Sequence, residues 1–383
     1  MLDVLIVGGG PVGLFLGCLL AQRGLSFQVL ERRTATSSHS RAVGLHPPAL
    51  ELFERVGAAQ AAVQAGVPVR SGVLRGPGGV VGELDFAGVS PRYPFVLVLP
   101  QHDTEKLLEA RLSELAPHSL RRSVVVQSLT QTNERVTVRA LEGEAETTLQ
   151  ARFVVGADGR RSLIRSLLGV AFRGRTYPDT YLMGDFPDTT AYGSRAVLQL
   201  DSGGIVESFP LPGQRRRWVA YTPSLRLTAS AADLSTLLAE RTGLHVPAQE
   251  CSMLSAFETR RHAAQTMLRG RAVLIGDAAH EVSPIGGQGM NLGWLDAAAL
   301  APLLEQAVQG QPFDTRPLEQ FSAARLRSAR RAARQAEINM WLGRPLTPLL
   351  VPAREALMRA ALRPISAPKL ADVFTMRWSL PAS

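Results

Sequence analysis

The sequence predicts an α/β fold: one domain built on a parallel sheet, interrupted twice by β-rich insertions that fold together as a second layer. Three observations predict it. The N-terminus reads strand, glycine turn, helix, strand across residues 3–31, the βαβ order from which parallel sheets are built. Two later apolar runs, "ARFVVGADG" (151–159) and "RAVLIGD" (271–277), each lead through glycine into an acid. Residues 69–99, before the first of these runs, and 171–260, between the two, change character to short strands broken by Gly and Pro. A chain of 383 residues can bury an ample core as one large domain or two closely joined ones.

Taken in order, "DVLIV" (3–7) is a run of β-formers that stops at Gly8. Residues 11–22 carry apolar side chains at helical spacing, with Gly24 as the C-cap. "SFQVLE" (26–31) is a second strand ending in Glu31. "TEKLLEARLSEL" (104–115) is an amphipathic helix with Thr104 in N-cap position. The strands "SVVVQSL" and "RVTVRAL" follow, and the second insertion contributes "RAVLQL" and "RRWVAYT". A long helix runs from about Gly289 to Val308, and the tail from Gly343 is Pro-punctuated. The expected division is 1–68, 100–170 and 263–342 for the parallel-sheet domain, 69–99 and 171–262 for the second β-sheet domain, and 343–383 for a helical tail.

Composition narrows the partners. The net charge is +9, but nearly every basic residue is arginine, only Lys106 and Lys369 being lysines, and they are spread along the chain. Two clusters stand out, Arg215-Arg216-Arg217 and the set Arg325, Arg327, Arg330, Arg331 and Arg334, the latter spaced as a solvated helix face. Neither comes with interleaved aromatics or zinc-ligand spacing, so nucleic acid is not expected, and a polyanionic small cofactor is a better user of the charge. The two cysteines, Cys18 and Cys251, make no disulfide framework and suit a reducing cytoplasm. The apolar first thirty residues are interrupted by glycines and preceded by no basic segment, so no signal peptide is expected. No apolar run reaches the length of a membrane span. The seven histidines show no metal-ligand spacing and no metal is expected; His46 is read as a satisfied loop histidine that could instead face a site.

The chemistry begins in "VGGGPVG". Gly8 permits the tight turn, Gly10 lets backbone approach a pyrophosphate, and Gly13 lets helix and sheet close up. Glu31 stands 18 residues beyond Gly13 at a strand end, where an acid can hold ribose hydroxyls. This marks a Rossmann-like site for an adenine dinucleotide, without separating FAD from NAD. Asp158 and Asp277 repeat the strand-end acid. Three such ends converging on one crevice suit a ligand longer than NAD, one with a ribityl chain and a tricyclic ring. The stretch "GDAAHEVSPIGGQGMN" (276–291) supplies an acid for ribityl hydroxyls, then bare backbone that feeds a helix N-terminus. That positive end would stabilise a reduced flavin.

Together "GGGPVG…E", "GADGRRSLIR" and "GDAAHEVSPIGGQGMN" resemble the FAD-dependent monooxygenases of the para-hydroxybenzoate hydroxylase type, in motif order from residue 1 to about 335. The resemblance implies FAD, NADPH or NADH as reductant, O2, and a flavin C4a-hydroperoxide that hydroxylates an aromatic, quinone-precursor or polyketide-like small molecule. It implies FAD contacts from Gly8, Gly10, Gly13, Glu31, Arg32, Arg41 in "SRAVGL", Gln101 in "LPQHDTE", Asp158 and Asp277. Pro284, Gly286, Gly287, Gln288, Gly289, Met290 and Asn291 would surround the flavin ring, with Pro284 and Asn291 nearest the chemistry. The nicotinamide cofactor has no fold of its own in this family, which agrees with "RGPGGVVG" (75–82) having the wrong glycine spacing and reading as a turn. Two other readings remain: a flavin reductase of isoprenoid chains on the same fold, and a flavin-binding regulator without turnover. No thioredoxin-like extension of the kind found in larger relatives is read here, so the oligomeric state stays open.

Overall fold

The computed structural model describes residues 1–36, 42–310 and 314–379. Its first sheet is built around five parallel strands in the order Ala272–Leu274, Ala145–Gly156, Leu2–Val7, Phe27–Glu31 and Leu120–Arg122. Strands buried on both faces read as continuous apolar runs, and Val4, Leu5 and Ile6 are indeed wholly buried. The register places Val7 opposite both Leu30 and Gly156, and Gly156 opposite Leu274. The carboxyl ends of four adjacent strands therefore stop on one line. The strand Ala145–Gly156 is longer than its apolar run suggests, because residues before Ala151 pair antiparallel with Val136–Glu142 in a polar meander.

The helix Pro11–Gln22 begins and ends where expected, with Gly24 in the left-handed region at φ +67° just past its end. The next helix starts earlier than Thr104. It runs Gln101–Leu115 behind an N-cap Pro100, and the Thr104 hydroxyl donates back to the Pro100 carbonyl, inside the first turn. Proline has no side-chain acceptor that would mark an N-cap in the sequence, so the polar Thr104 drew the start of the helix too far on.

The second sheet has eight strands in the order His280–Glu281, Met253–Ala264, Phe172–Pro187, Arg215–Thr222, Gly204–Leu211, Ala196–Asp201, Ser71–Gly76 and Gly79–Asp85. All neighbours are antiparallel except Ala196–Asp201 against Ser71–Gly76, which is where the two β-rich insertions meet. Alternation sorts its side chains. Leu182, Val206, Trp218 and Ala220 pack outward against Leu234 and Leu238 of a helix, Ala231–Thr242, that sequence reading missed inside the insertion. Met183, Ile205 and Val219 point the other way, towards Ile285 and Met340. A small sheet of Gly44–Leu45, Val96–Val98 and Val67–Val69 joins the layers.

The two arginine clusters differ: the first is largely buried, whereas the second is the solvated helix face expected, except at one residue. Arg216 and Arg217 are buried in the second sheet and pair with Asp188 and Asp185 at 3.0 and 2.7 Å. On the helix Arg316–Gly343, Arg327, Arg330, Arg331 and Arg334 are exposed, whereas Arg325 turns inward onto Asp296 at 2.6 Å. The tail forms helices Val351–Ala361 and Ala367–Phe374. No helix among the described residues is long and apolar enough to cross a membrane.

Candidate cofactor and substrate cleft

A cavity of about 960 Å³ opens where the parallel strands end and continues under the inner face of the second sheet. That volume is at the upper end for a small-molecule site. One wall is backbone and acids, the other apolar side chains.

On the first wall, the glycines have separable duties. Gly8 sits at φ +114°, and a Cβ there would come within 2.4 Å of the Ala157 carbonyl oxygen. A Cβ on Gly13 would stand 1.9 Å from the Gly8 carbonyl oxygen, so helix and turn touch directly. A Cβ on Gly10 would meet no protein atom within 4 Å, because Gly10 faces the cleft. The space it leaves is a cradle at the start of a helix, where backbone N–H groups favour phosphate. Glu31 is buried and accepts from the Gly9 amide at 2.8 Å and from Arg33 Nε at 3.0 Å. Burial opposes its charge, but the Arg33 and Gly9 donors outweigh burial and hold the carboxyl below its usual range. Arg33, not Arg32, makes these bonds and also approaches Glu105 at 3.6 Å; Arg32 is exposed at the cleft. Gln101 lines the cleft and donates to Glu105 at 2.8 Å.

The other two strand-end acids differ in what they leave available. Asp158 caps the short helix Leu163–Leu167, with Oδ2 accepting from the amides of Leu163 and Ile164 at 2.7 and 3.1 Å, while Oδ1 is buried without a partner. Asp277 has no hydrogen-bonding partner among the described residues, and its side chain is exposed to the cleft at the recessed end of its strand. The protein mass around the cleft desolvates its carboxyl and raises its pKa, the nearby His280 opposing the shift. An orphaned acid and an orphaned acid oxygen at adjacent strand ends are what ribityl and phosphate-side hydroxyls would satisfy. The residues fit FAD.

Asp277 is held in place by a buried ionic cluster behind it. Asp296, wholly buried, accepts from the Gly276 amide at 3.0 Å and pairs with His280 Nε2 at 2.6 Å and Arg325 Nε at 2.6 Å. Burial opposes its charge, but His280 and Arg325 overcome that and hold the carboxyl below its usual range. Three segments, Gly276–Ala278, Gly289–Gln309 and Arg316–Gly343, are thereby tied at one point.

Between the walls lies the loop 284–288. Pro284 is exposed to the cleft, its carbonyl accepting from the Gly287 amide at 2.9 Å, and Gly286 and Gly287 take φ of +97° and +67°. The helix starts at Gly289 with Gln288 as N-cap. Pro284, Gly286, Gly287, Gly289 and Met290 line the cleft; Gln288 and Asn291 are buried behind it. The expectation that the Asn291 side chain faces the ring is corrected. Its amide donates to the carbonyls of Gly44 and Gly287 at 2.9 and 2.8 Å and its oxygen accepts from the His46 amide at 2.9 Å. A group with all its bonds made inside the protein ties the loop in position. Gly13 likewise packs behind the cleft rather than on it. Arg41 lies outside the described residues.

His46 is not the satisfied loop histidine expected. It lines the cleft beside Gly286 and Gly287, is 5% exposed, and neither ring nitrogen finds a hydrogen-bond partner among the described residues. Burial pushes its pKa down to about 4, the neighbouring Gly286 and Gly287 backbone resisting. It is neutral near pH 7.

The second wall comes from the inner face of the antiparallel sheet, including Leu198, Met183, Val219 and Phe257. Met358, Leu362, Leu370 and Phe374 of the tail close its far end. Sequence reading assigned the tail no place in the site, because nothing local shows which part of the fold its apolar helix faces cover.

A strand-end cleft with a glycine turn, three acids and a left-handed glycine loop before a helix defines a flavin-binding site of the para-hydroxybenzoate hydroxylase type. The family model described as "FAD binding domain" matches residues 1–336, and the chain belongs to that family of FAD-dependent aromatic monooxygenases. It is 30% identical over 345 residues to para-nitrophenol 4-monooxygenase of Pseudomonas sp. strain WBC-3, covering 84% of this chain and 82% of the relative. It is 33% identical over 322 residues to 12-dehydrotetracycline 5-monooxygenase/anhydrotetracycline 6-monooxygenase of Streptomyces rimosus, covering 80% of this chain and 63% of the relative. Its fold matches the crystal structure of p-nitrophenol 4-monooxygenase from Pseudomonas putida DLL-E4 with a TM-score of 0.87 and 25% identity over 98% of each chain. The chain spans 62 to 63% of the length of the curated relatives it first matches.

Proposed function

We propose that the protein is an NAD(P)H-dependent FAD monooxygenase that hydroxylates an aromatic or polyketide-like small molecule with O2. One observation carries this reading: the cofactor wall and a wide apolar wall enclose a single continuous cavity, meeting at the 284–289 loop. Bound FAD supplies the electron and oxygen chemistry. The chain binds and orients it through Gly8, Gly10, Glu31, Asp158 and Asp277, and Asn291 fixes the loop that separates it from the apolar wall. The apolar wall and the tail keep water from the reacting ring. His46, neutral and unpartnered in the cleft, can give or take one hydrogen bond there. Arg41 remains assigned to a cofactor phosphate by the motif alone. The relatives named above are monooxygenases, which weighs against the isoprenoid reductase and the regulator. The FAD-binding part is read as 1–68, 100–170 and 263–342, the substrate part as 69–99 and 171–262, and the compartment as cytoplasmic.

The test is a screen of phenols and quinone precursors for stimulated NADPH and NADH oxidation by the FAD-loaded protein, with mass spectrometry of the product. The expected result is a product heavier by one oxygen atom. Flavin reduction without oxygen insertion for every compound, alongside reduction of an isoprenoid double bond, would overturn the proposal.

A further inference from the structure

The inner face of the second sheet carries one acid that nothing in the protein satisfies. Strand Gly204–Leu211 reads "GIVESFPL", and alternation puts Val206 and Ser208 on the outer face, so that Ile205, Glu207 and Phe209 face the cavity. The register fixes its neighbours: Leu198 lies opposite Glu207 on one side and Val219 on the other, with Met183 beyond Val219 and Leu74 beyond Leu198. All five line the cavity. Glu207 thus stands in the middle of an otherwise apolar row.

It is 7% exposed, and its carboxyl has neither a hydrogen bond nor an ion pair among the described residues. The nearby charges on the same sheet are spoken for: Arg217 is paired with Asp185, and Glu258 with Arg260. Burial alone pushes the Glu207 pKa up to about 7. Folding gains nothing from such a group, since an unsatisfied buried acid costs stability that a leucine of similar volume would not. A polar group that the fold does not use, inside a cavity and facing its open space, is placed for a ligand.

We propose that Glu207 is the specificity-determining residue of the substrate half of the cavity, accepting a hydrogen bond from a ring hydroxyl of a phenolic or enolic substrate. The remainder of the row grips the ring by apolar contact, so the hydroxyl sets which edge of the ring is held deep on the sheet. This deepens the monooxygenase reading and rests on it for the identity of the ligand as a hydroxylated ring. A site built to bond a hydroxyl discriminates strongly against a ligand that cannot donate, because its own acid is then left unpaired.

The test is equilibrium dialysis of FAD-loaded protein, without NADPH, against 2-naphthol and 2-methoxynaphthalene. The two rings match in shape, but only the first donates. Wild type is expected to bind 2-naphthol about tenfold or more tightly than its ether. In Glu207→Leu the ratio should fall to within about twofold, with the ether bound at least as tightly as by wild type, and the melting temperature should rise. Glu207→Gln, which keeps the shape and a neutral acceptor, should fall between and carries the test if the leucine variant does not load FAD. A wild-type ratio near one, no binding of either naphthalene, or an unchanged ratio in the loaded variant overturns the proposal. Because no turnover is involved, a preserved ratio in a protein that never inserts oxygen would sink the monooxygenase reading and leave the anchor standing.

Discussion

The two walls of the cleft solve opposite problems. The cofactor wall brings backbone close to a ligand, so it is made of glycines, strand ends and acids, two of which already spend part of their bonding capacity on the protein. Glu31 meets Gly9 and Arg33, Asp158 caps a helix, and Asn291 is fully engaged. The substrate wall brings side chains close to a ligand, so it is a largely antiparallel face in which alternation decides which residues point inward, and among the described residues Glu207 is an inward acid with no partner. The first wall is rigid and general; the second is where one chain can differ from its relatives without disturbing the fold. If that contrast holds, substitutions on the cofactor side should damage folding or FAD binding, and those on the sheet face should change ligand choice.

The largest expected effect is on the buried cluster behind the cofactor wall. Asp296→Asn leaves Arg325 buried without its partner and weakens the bond to His280, a class of change that costs about 3–5 kcal/mol. The Asp296 carboxyl is held below its usual value, so the contribution is full above an unfolded pKa near 3.8 and is lost only as the pH falls further, through the folded value. Urea unfolding at pH 7 and pH 5 should therefore show similar losses at both. A loss under about 1 kcal/mol would mean the cluster does not anchor the wall.

His46 gives the next effect, and its sign is different. Its folded pKa of about 4 lies below the unfolded 6.5, so the unfolded chain takes up its proton first as the pH falls. Stability tied to His46 is full above about pH 6.5 and declines by roughly 3 kcal/mol on going down to pH 4. His46→Gln should flatten that part of the pH profile. Parallel profiles for variant and wild type would show that the ring is solvated in solution. Exposure to water would then be the reason it lacks a partner.

How much of this was readable beforehand follows from the same contrast. The helix Pro11–Gln22, the strand end at Glu31 and the helix from Gly289 were legible to within a residue, because turn glycines and caps occupy fixed positions where backbone geometry demands them. Asn291 was legible as part of the loop-to-helix motif but its partners were not, since nothing local reveals that its amide reaches Gly44 and His46, some 245 residues away in sequence. Glu207 gave no signal at all. A single acid in "GIVESFPL" is indistinguishable from a solvent-facing strand residue until the sheet shows which face is inward. Asp296 and Arg325 were hidden for a similar reason: each sits on a long helix with the spacing of a surface charge.

On the cofactor side Asp277 sets a smaller, ligand-specific effect. Asp277→Ala removes an acid with no partner in the protein, so folding should be little changed, while FAD loses an acceptor worth about 1–3 kcal/mol. FAD affinity should fall about tenfold or more by titration of the apoprotein. Unchanged affinity would remove Asp277 from the site, and lowered thermal stability with unchanged affinity would make it a turn residue.

The finest distinction lies within one glycine motif. Gly13→Ala drives a methyl to 1.9 Å from the Gly8 carbonyl and should cost the fold itself. Gly10→Ala drives its methyl into open cleft, with no protein atom within 4 Å, and Gly10 already has φ −79°, which alanine adopts without strain. Losing glycine at an N-cap costs about 1 kcal/mol or less. Apoprotein melting should therefore barely move, while FAD affinity should drop about tenfold, because the methyl occupies the space where backbone amides approach phosphate. Equal losses of melting temperature for the two alanine variants would mean that the turn packs as a unit and that Gly10 is structural. Unchanged FAD affinity in Gly10→Ala would place the phosphates elsewhere along the cleft. A drop in affinity alone separates the residue that builds the wall from the residue that leaves room in front of it.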